Sequence, residues 1–410
     1  MLKFTEYLTE DKAGKNLHLE HLEDEVLNGG VAGTRAAISF LQSLRDMLAG
    51  HTDAKMNITT KWDGAPAIFA GINPENGKFF VGTKGVFAKN AKLNYTPADI
   101  DRNHPGEGLN AKLKIALKYL PELGIDGVLQ GDMMFTSADL KSEKIEGEQY
   151  ITFQPNTIVY AVPANTKLAK NIRSVKMGIV WHTTYKGKKM EDMKASFGAD
   201  IGGLNQSKNV WFRDASFVDA SGTATFTAAE TKEINAILSQ AGSLFRTISP
   251  RTLNQIATTE SFNIQIKAWN NLKVREGKEI TNTTQHVAGL IATVQEKLNK
   301  NILDAKKADT KTKRQEEKKM VMAFYIGNKN ELKKIFDLQN LLVRAKNMIV
   351  KKLQTVQDSV GTYLRTDATG LKVTAPEGFV AIDHVGKAVK LVDRLEFSQA
   401  NFNATKNWSK

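Results

Sequence analysis

Apolar positions recur every third or fourth residue in residues 1–50 and 225–360 of this chain, and every second residue in shorter runs elsewhere. Ala36–Leu48 carries Ile38, Leu41, Leu44 and Met47 at a spacing of three, which predicts an amphipathic helix with Gly29, Gly30 and Gly33 breaking the chain before it. From Asn57 to about Gly187 short β-type runs alternate with turns. Thr59–Thr60, Ala67–Ala70 and Lys78–Val81 read as strands, with Asn73–Gly77 as a loop between two of them. Gly127–Phe135, Thr157–Val162 and Lys176–Thr184 read as three more, and Leu109–Leu120 as a helix ended by Pro121.

From Thr225 to Val360 the period is helical again. Val287, Ile291, Val294, Leu298 and Ile302 form one stripe, and Leu332, Ile335, Leu338, Leu342, Ala345, Ile349 and Leu353 a second. After Leu371 the strands return: Phe379–Ile382 and Ala388–Val392, joined at His384-Val385-Gly386, predict a hairpin. The pattern therefore implies an α+β protein whose β layer is entered twice. Four segments follow: N-terminal helices packing on the core (1–56), the first part of a β core (57–224), a helical insertion (225–365) and a C-terminal hairpin returning to the core (366–410).

Composition narrows the class. No apolar run approaches the roughly 20 residues of a membrane span, and the N-terminus lacks the apolar segment of a secretion signal, so no membrane partner and a cytoplasmic location are expected. The absence of cysteine excludes disulfides, thiolate nucleophiles and Cys-ligated zinc. His18-Leu19-Glu20-His21 lacks the H-E-x-x-H spacing of a zinc helix. A formal net charge of +13 favours a polyanionic partner such as nucleic acid, because phosphate contacts release counterions; plain solubility is the alternative. The strongest basic stretch runs from Lys306 to Lys319 and includes Lys307, Lys311, Lys313, Arg314 and Lys318. It reads either as the solvated tip of a helix hairpin or as a grip on a phosphate backbone.

Lys61-Trp62-Asp63-Gly64-Ala65-Pro66 lies between apolar stretches, which sets Lys61 on a strand and turn. An ammonium held there must be paired or deprotonated, and a deprotonated amine is a nucleophile. A solvated surface turn is the alternative.

Taken in order, Lys61-Trp62-Asp63-Gly64, Val81-Gly82-Thr83-Lys84-Gly85, Gly131-Asp132, Glu377-Gly378-Phe379-Val380 and Lys387–Asp393 resemble the motifs of the covalent nucleotidyltransferase superfamily of ATP-dependent ligases and capping enzymes. The chain looks most like the RNA ligases of phages, and it also resembles uncharacterised tailed-phage proteins that share the run through Ala67. The resemblance implies an antiparallel-sheet nucleotidyltransferase core, ATP-grasp-like, interrupted by the helical insertion. Because only residues 393–410 follow Val392, no C-terminal OB domain is expected.

The resemblance further implies that Lys61 attacks the α-phosphate of ATP, with Asp63 and Gly64 in the nucleotide-binding motif. Lys84 and Lys390, with Lys387 as a further candidate, would contact phosphate. Glu377 and Asp132 would hold Mg²⁺ or Mn²⁺, and Tyr160 or Trp181 would stack on adenine. Lys84 stands where the family usually has Arg, and Asp132 where Glu is usual. Lys387 and Lys390 are three apart rather than two, so they point to opposite strand faces unless a bulge intervenes. The implied function is an ATP-dependent polynucleotide ligase acting on RNA ahead of DNA, in a host cytoplasm if phage-encoded. The alternatives are a DNA ligase, a transferase with another acceptor such as a cap, or a non-enzymatic nucleic-acid-binding protein on a degenerate version of the fold.

Overall fold

The structure, a computed structural model, describes residues 20–50, 57–88, 90–145, 147–216, 225–355, 361–365, 371–373, 378–382 and 388–395. The chain is an α+β protein built from helices and largely antiparallel strands. Glu377 and Lys387 lie outside the described residues.

Three sheets meet around the run that follows Lys61. The first has the order β1-β13-β14, from Asn57–Lys61, Gly378–Ile382 and Ala388–Leu391. The second has the order β10-β8-β4-β2-β3, from Val210–Asp214, Met177–Lys186, Val128–Thr136, Ala67–Ile72 and Phe79–Gly82, with β9 (Lys194–Phe197) alongside β8. Its one parallel pair is β8 with β10. The third has the order β12-β11-β7-β6-β5, from Leu371–Val373, Gly361–Arg365, Ile158–Pro163, Glu148–Phe153 and Lys141–Ile145. The return to the β layer thus begins at Gly361, ahead of the expected boundary at 366, because β11 pairs with β7.

The helices are α1 (Glu25–Asn28), α2 (Gly30–Leu48), α3 (Pro97–Asn103), α4 (Glu107–Tyr119), α5 (Lys167–Ser174), α6 (Ala228–Phe245), α7 (Pro250–Thr258), α8 (Glu260–Arg275), α9 (Thr283–Leu303), α10 (Ala308–Gly327) and α11 (Lys329–Gln354). Gly33 sits inside α2 rather than breaking it. A Cβ there would come 2.2 Å from the Glu25 carbonyl oxygen, so glycine is what lets α1 fold back onto α2.

The N-terminal helices share one core with α6–α11. Leu41 and Leu44 of α2, Ile237 of α6, and Leu338 and Leu342 of α11 belong to it. That core continues onto one face of the first sheet through Ile58, Phe379, Ala381, Val389 and Leu391. Because strand side chains alternate, the opposite face carries Thr59, Lys61, Val380, Ile382 and Lys390. The first sheet is therefore a wall with a helical core behind it.

A buried ionic cluster ties this core together. Lys346 of α11 is 0% exposed, and its ammonium lies 2.9 Å from both carboxylate oxygens of Glu23. Arg394 donates to Asp24 at 2.9 Å and to Asn271 at 2.7 Å. Burial alone would raise the Glu23 carboxyl, but the neighbouring Lys346, His21 and Arg394 outweigh it and hold it down at about 2. Among the described residues no helix is long and apolar enough to cross a membrane.

Removing one partner of a buried pair strands the other charge, so Lys346→Ala is expected to cost about 3–5 kcal/mol in urea unfolding. The double replacement Glu23→Gln with Lys346→Met should recover most of that loss. Glu25 supplies a pH test. Burial raises its carboxyl to about 7, so its contribution to stability is complete below the ordinary carboxyl value and is lost as pH rises through about 7. Glu25→Gln stays neutral throughout, so its stability relative to wild type should rise by roughly 3 kcal/mol between pH 4.5 and pH 8. Melting curves across that range check it.

Candidate functional site

The residues after Lys61 are held by all three sheets. Lys61 ends β1 and pairs with Gly378. Asp63 is buried, and its carboxylate accepts from Asn156 Nδ2 at 2.7 Å and from the backbone N–H groups of Thr157 at 2.6 Å and Ile158 at 2.8 Å. The Asp63 N–H donates in turn to the Tyr160 hydroxyl at 2.7 Å. Beyond it, Ala65 N–H donates to Met133 O and Met133 N–H to Pro66 O, both at 3.0 Å, which zips the turn onto β4. The Ala65–Pro66 peptide is cis.

Gly64 is required by close approach. A Cβ there would lie 2.4 Å from Asp132 Cβ. The glycine thus lets the Lys61 turn lie directly over the strand that carries Asp132.

This packing opens a cleft of about 490 Å³, counting its open mouth. Lys61, Trp62, Asp132 and His182 line it, with Thr59 and Val380 on the side of the first sheet. Two candidates 71 positions apart in the chain, Lys61 and Asp132, therefore share one cavity. Asp132 accepts no hydrogen bond from the protein among the described residues; the His182 ring lies beside it, with Nε2 3.7 Å from Oδ1. The His182 ring is oriented from behind by a 2.8 Å contact between Nδ1 and Thr183 Oγ1. Lys390 lies opposite Val380 on β14, on the same sheet face as Thr59 and Lys61.

The other candidates are placed differently. Lys84 is exposed on a short 3₁₀ turn after β3, outside the cleft lining. Both aromatic candidates are in the core. Trp181 is fully buried on the far face of β8, against Gly131, while its neighbours Val180 and His182 face the cleft. Tyr160 is buried and holds the Asp63 turn. The aromatic rings that do line the cleft are Trp62, tilted against Tyr160 at 5.2 Å between centroids, and Phe197 of β9. Trp62, Phe197 and His182 were not singled out by sequence, although strand alternation from Trp181 placed His182 on the opposite face.

What the cleft offers a hard cation is one carboxylate, Asp132, within a mainly apolar lining that includes Val180, Phe197 and Val380, whereas the oxygens of Asp63 are already engaged. Among the described residues no group of three or more metal-ligating side chains is formed. Lys306, Lys307, Lys311, Lys313, Arg314, Lys318 and Lys319 stand away from the cleft, at the tip of the α9–α10 hairpin. A more spacious groove of about 1100 Å³ runs between α8, α11 and residues 393–395. Most of its amides are engaged within the protein: Asn270 with His286, Gln339 with the Glu23 carbonyl, Asn340 with the Ile280 carbonyl and Asn347 Nδ2 with Asp393, while Asn347 Oδ1 has no partner among the described residues.

An α+β chain with a lysine and an open carboxylate in one cleft is the class that fold and site define. A family of unknown function (DUF6267) matches residues 16–406, and the chain belongs to that family. No curated protein and no solved structure matches it.

The two aspartates should separate cleanly on mutation. Asp63→Ala leaves two buried backbone N–H groups without acceptors and should cost about 3 kcal/mol or more in thermal or urea unfolding. Asp132→Asn should stay within about 1 kcal/mol of wild type, because no protein hydrogen bond depends on its charge.

Proposed function

We propose that this protein is a covalent nucleotidyltransferase that takes AMP from ATP onto Lys61 and passes it to a polynucleotide end, acting as a ligase on RNA ahead of DNA. The observation that carries the reading is the shared cleft: the lysine of the K-x-D-G run opens onto the same cavity as Asp132. Lys390 adds a cation on the sheet face that bounds it. The order of the motifs along the chain, described above, supports the same reading.

The steps balance as follows. The neutral Lys61 amine forms an Nζ–Pα bond while the bond from Pα to the bridging oxygen breaks, pyrophosphate leaves with that electron pair, and the amine proton is released. A 5′-phosphate oxygen then attacks Pα, the Nζ–Pα bond breaks, and Lys61 leaves with the electron pair and takes up a proton from solvent. Finally the 3′-hydroxyl attacks the activated 5′-phosphate, AMP leaves and the hydroxyl proton is lost. A divalent cation held at Asp132, with Glu377 as the second candidate ligand, would supply charge neutralisation at the phosphates.

This chain's own contribution is positioning. The Asp63 carboxylate fixes the turn after Lys61, Gly64 brings that turn onto Asp132, and the lysine side chains bring positive charge to the side where phosphate charge develops.

Incubation with ATP labelled at the α-phosphate, followed by a denaturing gel, tests the reading. A band that Lys61→Ala abolishes is expected, together with at least a hundredfold loss of labelling in Asp132→Ala. A band with labelled GTP alone would replace the ligase with a capping-type transferase. No band with either nucleotide would leave a non-enzymatic binding protein. Nicked RNA, DNA and mixed duplexes then identify the polymer.

A further inference from the structure

The hairpin formed by α9 and α10 ends in a free-standing arm. No residue between 299 and 320 is buried; the buried positions of α9 stop at Leu298, and those of α10 begin at Val321. Residues 308–320 therefore extend as about 20 Å of helix supported by α9 alone. Helix-favouring Lys, Gln, Glu and Arg residues populate this stretch, so it can remain helical without a core face.

The charges on the arm are ordered. Lys307, Lys311, Arg314 and Lys318 follow one another at spacings of four, three and four, which places them in one stripe along the helix, in line with the face that turns Val321, Met322 and Tyr325 inward; Lys307 and Lys311 are exposed, Arg314 and Lys318 half-buried. Asp309 and Glu316 fall on the opposite face. Lys313 lies toward that same face, Lys319 and Glu317 flank the stripe on either side, Lys306 precedes the helix, and all four are exposed. None of these cations forms an ion pair among the described residues, although elsewhere lysines such as Lys267, Lys333 and Lys334 are paired with acids. Arg314 makes one internal contact, donating to the Asn301 carbonyl. Desolvating this stripe against an apolar partner would be costly, and residues 304–319 contain no large apolar side chain to form a packing seam. Leu303, 80% exposed, sits at the tip where α9 ends, and Met320, 68% exposed, at the base of the arm.

We infer that this arm is a binding site for the phosphodiester backbone of a nucleic acid, gripping it through the Lys307–Lys311–Arg314–Lys318 stripe. The inference stands on the arm alone and does not depend on the chemistry of the cleft. Cations outside any ion pair among the described residues, of which Lys307 and Lys311 are exposed, bind a polyanion by releasing its counterions, so the contact requires neither a pocket nor base recognition.

The test uses the full chain and a labelled single-stranded RNA of about 20 nucleotides, with anisotropy measured over a range of salt concentrations. In the variant combining Lys307→Glu, Lys311→Glu, Arg314→Glu and Lys318→Glu, Kd is expected to rise at least about tenfold. The slope of log Kd against log salt should shrink by about 3, and the corresponding Gln variant should show the same slope change. Unchanged affinity and slope in both variants would overturn the inference. So would binding to phosphatidylserine vesicles, lost in Leu303→Ser, with no RNA binding. Covalent labelling with ATP, measured on the same variants, keeps the two proposals apart. RNA binding lost with Lys61 labelling retained supports the arm and the cleft together. RNA binding lost in a protein that never takes label supports the arm and removes the cleft reading.

Discussion

A single buried carboxylate sets the geometry on which the cleft depends. Asp63 accepts from Asn156, Thr157 and Ile158, and so pins the turn after β1 to the start of β7 in the third sheet. On one side of that turn Lys61 is laddered to β13 in the first sheet, and on the other Ala65 and Pro66 are laddered to β4 in the second. A carboxylate can do this because it offers several acceptor sites and no donor, which matches the converging N–H groups of a strand entry. Without it those donors would be buried unpaired, and nothing in the turn would hold Lys61 over Asp132.

The helical block serves the same geometry from behind. The first sheet turns Phe379, Ala381, Val389 and Leu391 into the helical core and leaves the alternate positions for the cleft wall. Its outer edge is tied to the N-terminal segment, since Lys390 N–H donates to the Glu20 carbonyl and His21 bridges to Lys390. That segment is anchored in turn by the Glu23–Lys346 and Asp24–Arg394 pairs. The cleft wall and the helical core are therefore one mechanical unit, even though the chain crosses between them several times.

The proposed chemistry and the proposed nucleic-acid grip divide the basic surplus of the chain between two places. Lys61 lines the cleft and Lys390 lies on the sheet face beside it, whereas the arm carries most of its cations at exposed positions. The two environments suit different tasks. A confined cation orients a transferring phosphate, and a solvated one attracts polymer at range.

Much of this was legible in the residue pattern. The stripes led by Val287 and Leu332 lie in α9 and α11 and turn most of their apolar members inward, because a 3.6-residue period needs only a core to face. The strands over 67–72, 79–82, 128–136 and 177–186 contain the runs read from alternation and turn residues, and the hairpin of β13 and β14 matches its pattern. The edge strand β5 and its neighbour β6, polar at their exposed ends, gave no such signal.

Local pattern could not decide which residues meet. Trp181 and Tyr160 have the composition of a base-stacking shelf, yet β8 turns Trp181 into the core and Tyr160 is spent on the Asp63 turn. Their place on the cleft is taken by Trp62 and Phe197. Lys84 retains the charge expected of its motif but leaves β3 toward solvent. By itself, the sequence determined which residues could form helices, strands and charged stripes, because those depend on spacing along the chain. Tertiary structure alone decided that Lys61 and Asp132 border one cavity and that Lys390 shares the sheet face of Thr59 and Lys61, because strand register and close packing at glycines such as Gly64 join positions far apart in the chain.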